Sequence, residues 1–72
     1  MRISYDQEVD AMYIRLLEGD FECRNVVLTD EITLDFGPQE QLVGIEILDA
    51  SRVVGQGKLP KLVVDHLSVV AA

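Results

Sequence analysis

Cysteine occurs once in this 72-residue chain, as Cys23, histidine once, as His66, and tryptophan not at all. A lone cysteine allows no intramolecular disulfide and removes the zinc patterns built on paired cysteines, which suits a reducing cytoplasm. Basic residues are also few: six Lys and Arg face 13 Asp and Glu, for a formal charge of −7. With no run of Lys and Arg there is no basic stripe to meet a phosphate backbone, so no nucleic-acid partner is expected. No stretch approaches the roughly 20 apolar residues that span a bilayer, and the N-terminal MRISYDQEVD lacks the apolar core of a signal peptide. A soluble, cytoplasmic protein with no membrane partner is the expectation. Neither GxGxxG nor GxxxxGKS occurs, and GQGK at 55–58 is too short to cradle a phosphate, so no cofactor is expected.

What the chain does have is apolar content. Hydrophobic residues make up 49% of it, enough for a folded domain, while its length allows only one. A core this small buries only part of its apolar surface, and self-association, with a dimer as the simplest form, would complete the burial.

Alternation of apolar and polar residues places strands along residues 1–51. Ile3 and Tyr5 lie two apart before the acidic turn DQEVD. AMYIRLL (11–17) follows, with Met12, Ile14 and Leu16 on one face and Tyr13 and Arg15 on the other; its β-branched and aromatic content favours a hairpin strand over a helix. FECRNVVL (21–28) is the third strand. ITLDF (32–36) alternates most cleanly, and LVGIEIL (42–48) follows the GPQEQ loop. Pairing the last two as an antiparallel hairpin sets Leu34 opposite Ile45, Ile32 opposite Ile47 and Phe36 opposite Val43, with Thr33 across from Glu46 and Asp35 across from Gly44. One face is then apolar and the other carries Thr33, Asp35 and Glu46.

Beyond Ser51 the pattern changes. SRVVGQGK suggests a turn of helix and a linker over 52–58. In LPKLVVDHLSVVAA the apolar residues Leu59, Leu62, Val63, Leu67 and Val70 share a helical stripe, and Pro60 suits a first helical position. A helix over 59–71, packed on one face of the sheet, is expected, with a sixth strand as the alternative because valines weaken helices. The fold class is α+β: a small antiparallel sheet, a meander of about five strands, with a C-terminal helix.

The segments ISYDQEVDAMYIRLLEG and ITLDFGPQEQLVGIEILDAS, with a YDxExDAxYIRL opening, a strand ending in LDF before a turn, and LVGIEILDAS, resemble the bacterial domain of unknown function 2283 family over residues 3–51. The resemblance implies a β-rich fold and brings no catalytic residues with it. It also opens an antitoxin-like role, since some members of the family are suspected of being encoded beside small toxin-like proteins.

Three groups of residues invite chemistry. Asp6, Glu8 and Asp10 have the alternation of a calcium loop, but Ala11 and Leu17 stand where such a loop needs Gly and a bidentate Glu, so a solvated acidic turn is expected and no metal site. Cys23 and His66 would need to meet within hydrogen-bond reach to form a nucleophile and base, which nothing in their spacing arranges. Tyr13, Arg15, Thr33, Asp35 and Glu46 form the candidate polar cluster: two close carboxylates can raise one pKa toward neutrality, and Arg15 is the expected ion-pair neighbour of Asp35 or Glu46. Asp49 or Ser51 is expected to cap the helical turn after the last strand. Together these features favour a self-associating interaction module that takes a basic protein partner, with a small enzyme or ligand binder using the outer carboxylates as the alternative.

Overall fold

A computed structural model describes residues 1–65. It contains strands β1 (Arg2–Asp6), β2 (Ala11–Arg15), β3 (Arg24–Val27), β4 (Ile32–Phe36) and β5 (Leu42–Ile47), a 3₁₀ turn at Pro38–Glu40 between β4 and β5, and one short α-helix, α1 (Ala50–Val53). The strands form a single antiparallel sheet in the order β1-β2-β5-β4-β3, and the fold is α+β. Three of the four pairings join strands consecutive in sequence. The fourth, β2 with β5, places LVGIEI at the centre of the sheet.

The β4–β5 register follows from the alternation: Ile32 pairs with Ile47, Thr33 with Glu46, Leu34 with Ile45 and Asp35 with Gly44. It then shifts, so that Phe36 faces Leu42 and not Val43. The extra residue is a β-bulge, which sharpens the local twist where the chain enters β5. Val43, just 1% exposed, is buried there, and its carbonyl accepts the Leu16 N–H at 2.8 Å.

One face gathers Ile3, Tyr5, Met12, Ile14, Ile45, Ile47, Ile32, Leu34 and Val26. It is poorly covered. The buried apolar residues among those described are only Val43, Ile47 and Ala50. Val54 and Pro60–Leu62 stand over its β1–β2–β5 half, and the Arg24 guanidinium lies 5.1 Å from the Phe36 ring at its far end.

The helix of this α+β fold is therefore the turn that follows β5. The helix expected over 59–71 does not begin at Leu59: residues 59–65 are neither helix nor strand, and the rest of that stretch lies outside the described residues. Val63 and Val64 lower the helix propensity of 59–65, and both stay exposed, so no packing compensates there. Among the described residues, no helix is long and apolar enough to cross a membrane.

Candidate functional site

The five residues of the candidate cluster all project from the polar face. The registers Tyr13 with Glu46, Arg15 with Gly44, Thr33 with Glu46 and Asp35 with Gly44 put them in two adjacent rows across β2, β5 and β4. Gly44 holds the centre of the second row, between Arg15 and Asp35. A Cβ at that position would lie 2.5 Å from Tyr13 Cζ and 3.1 Å from the Ile14 carbonyl oxygen. Because glycine has no side chain, the Tyr13 ring can cross the central strand, and its hydroxyl donates to Asp35 Oδ2 at 2.9 Å. The Asn25 amide donates to the other oxygen, Oδ1. Burial of the ring, followed by the hydrogen bond to Asp35, raises the Tyr13 pKa above that of a free phenol.

Arg15 does not join the carboxylates. Its Nε donates to the Leu17 carbonyl at 2.7 Å and its second guanidinium nitrogen to the Gly19 carbonyl, so it braces the turn after β2. Both carbonyls lie at the exit of its own strand, two and four residues on, where its five-donor guanidinium reaches them within the same segment. Glu46 is exposed beside Tyr13, at the rim of an open depression of about 300 Å³ that Ser4 and Asp6 also line. Of the expected cluster, Tyr13 and Asp35 touch; Thr33 and Glu46 share the face; and Arg15 turns away.

A second constellation, which the alternation pattern did not assemble, forms at the end of the sheet. Continuing the Met12–Ile47 register by two residues brings Asp10 opposite Asp49, where α1 begins. Asp10 has φ 53°, a left-handed conformation that Asp tolerates. Its backbone carbonyl accepts the Ala50 N–H at 2.9 Å, and its carboxylate accepts the Ser51 N–H at 3.0 Å and the Ser51 hydroxyl at 2.6 Å. The Tyr5 hydroxyl donates to the same carboxylate at 2.6 Å.

Asp10 thus caps a helix 41 residues away in sequence. Asp49 occupies the N-cap position without using its side chain as a cap; its carboxylate accepts from Arg52 Nε at 2.6 Å. This corrects the expectation that Asp49 or Ser51 would do the capping, because Ser51 is the capped residue. The Ser51 hydroxyl first, and the Tyr5 hydroxyl next, hold the Asp10 carboxyl below the usual carboxylate range, and the bond to Asp10 raises the Tyr5 pKa. Arg52 also donates to Glu31 Oε1 at 2.6 Å, tying α1 to the β3–β4 turn, and both carboxylates raise its pKa.

The acidic turn does not converge on a common point. Asp6 Oδ1 accepts the Glu8 N–H at 3.0 Å in a local turn, while Asp10 is committed to Tyr5 and Ser51. Among the described residues, no three His, Cys, Asp or Glu side chains gather as a metal would require. Cys23 is exposed, with its sulfur 3.6 Å from the Phe21 carbonyl oxygen, and His66 lies outside the described residues.

The sequence model of a protein family of unknown function, DUF2283, matches residues 2–51, and the chain belongs to that family. The matched region runs from the first strand to the serine that Asp10 caps. No curated protein and no solved structure matches the chain.

Proposed function

We propose that this protein is a self-associating interaction module in which a second copy covers the apolar face of the sheet. The observation that carries this reading is the mismatch between surface and size. The chain exposes 5826 Å², whereas a compact monomer of 8.0 kDa exposes about 4,500 Å². The excess, roughly 1,300 Å², exceeds the ~800 Å² that each partner of a stable complex typically buries. The radius of gyration is 13.1 Å, against about 11 Å for a compact chain of this length. A single-layer sheet with one open apolar face contributes to both, together with the exposed segment 59–65.

The polar face then points outward. Among the described residues, Asp35 and Glu46 stand on it without an ion-pair partner, and Arg15 is turned to the Leu17 and Gly19 carbonyls. A basic protein partner fits that face, which is the antitoxin-like form of the role. The hydrogen bonds from Tyr13 and Asn25 to Asp35 brace the sheet and fix the acidic surface such a partner would meet.

Sedimentation equilibrium from micromolar to millimolar protein tests the self-association. The expected result is a concentration-dependent rise toward twice the chain mass of 8.0 kDa; a constant single-chain mass at millimolar concentration contradicts it. Titration with an oligo-lysine peptide, followed by NMR, tests the acidic face. Shifts centred on Thr33, Asp35 and Glu46 are expected, and shifts confined to the turns would count against a partner there.

A further inference from the structure

We infer that the segment Leu59–Asp65 is the reciprocal arm of this dimer, with Leu62 and Val63 of one copy filling the groove on the apolar face of the other. This rests on the self-association reading and adds the element that performs it. The groove has a volume of about 280 Å³, and its floor is Ile3, Met12, Ile14 and Ile47, with Val54 and the segment's own Pro60–Leu62 along its side.

The segment has the character of an arm without a partner. Leu62 is 66% and Val63 80% exposed, although both are aliphatic, and Leu59 and Val64 are exposed as well. Among the described residues, no backbone N–H or C=O of 59–65 is paired with another backbone group. A segment that leaves Leu62 and Val63 exposed at the side of an apolar groove is self-complementary with a second copy under a two-fold axis. Each copy inserts its arm and receives the other's, and the contact closes at two chains.

Charge does not oppose the same exchange. Residues 1–57 hold 12 carboxylates and four arginines, a formal −8, whereas Lys58 and Lys61 against Asp65 leave 58–65 at +1. The arm itself, Leu59–Asp65, sets Lys61 against Asp65 and is neutral, with Lys58 at its base, so it docks on an acidic second copy without net repulsion.

The test compares full-length wild type with Leu62→Ser/Val63→Ser and with Val27→Ser by sedimentation equilibrium, with far-UV circular dichroism to confirm folding. Val27 is 71% exposed but sits on the polar face opposite Thr33, so it controls for loss of an exposed aliphatic group as such. The expected result is dimeric wild type, an unchanged Val27→Ser variant, and a folded double variant whose association is weakened by about a hundredfold or more. A double variant that dimerises like wild type overturns the arm while leaving self-association in place. Equal weakening by Val27→Ser also overturns the arm and moves the contact to the polar face or its edge. A monomeric wild type overturns both the arm and the reading on which it rests.

Discussion

On the polar face of the sheet the side chains find partners within the chain: Tyr13 reaches across Gly44 to Asp35, Asn25 closes the second carboxylate oxygen, and Arg15 bonds two carbonyls. On the apolar face Ile14, Ile45, Leu34 and Phe36 line up just as regularly but remain partly exposed, and full burial is confined to Val43, Ile47 and Ala50. Hydrogen bonds are directional and can be satisfied within one layer. Hydrophobic burial needs a second layer, and the described chain supplies only a four-residue helix and an irregular segment toward one. The polar face is hydrogen-bonded within the chain; the apolar face holds the surface still to be removed from water.

The largest expected effect tests the apolar side of this contrast. Ile47→Ala removes a 5%-exposed side chain from the central strand, and a loss of about 2–4 kcal/mol in urea unfolding is expected. A loss under about 1 kcal/mol would mean the face collapses around the gap and is no true core. Next comes Gly44→Ala, which leaves the apolar face untouched and forces the Tyr13 ring off the central strand. A cost of about 2 kcal/mol is expected, together with a changed tyrosine near-UV signal. Tyr13→Phe keeps the ring and deletes only the donor to Asp35, so about 1 kcal/mol is expected. If Gly44→Ala costs no more than Tyr13→Phe, the glycine is not there to seat the ring.

The smallest effect is expected at the Asp10 clasp, and it depends on pH. With its folded pKa below the unfolded value of about 4, Asp10 contributes stability fully above that pH, and the contribution fades as pH falls through the lower folded pKa. The acid limb of the stability curve is therefore expected to be shallower in Asp10→Asn than in wild type. Superimposable acid limbs would show that the capping of α1 is not linked to this carboxylate.

Much of the polar face was legible because alternation fixes which residues share a side, and one pair, Leu34 with Ile45, sets the rest of the hairpin. The bulge at Phe36 was not, since a one-residue insertion leaves the pattern of LVGIEIL intact. Arg15 was misplaced because its partners are backbone carbonyls, which have no residue signature. The clasp was missed for a topological reason: Asp10 looked like one of three alternating turn carboxylates until β2 paired with β5, a long-range contact that no local pattern announces. Once that register is known, the signal is plain, because two further residues bring Asp10 level with the start of α1. The amphipathic stripe over 59–71 was real as a pattern, yet between Leu59 and Asp65 its apolar residues lie on a segment that is neither helix nor strand.

The contrast between the faces is tested most directly by a dilution series of methyl- and amide-labelled protein followed by NMR. On lowering the concentration, the methyl groups of Ile3, Met12, Ile14 and Ile47, which line the groove, are expected to shift together along one binding curve, while Thr33, Asp35 and Glu46 stay fixed. Shifts on the polar face with a silent apolar face would contradict the account.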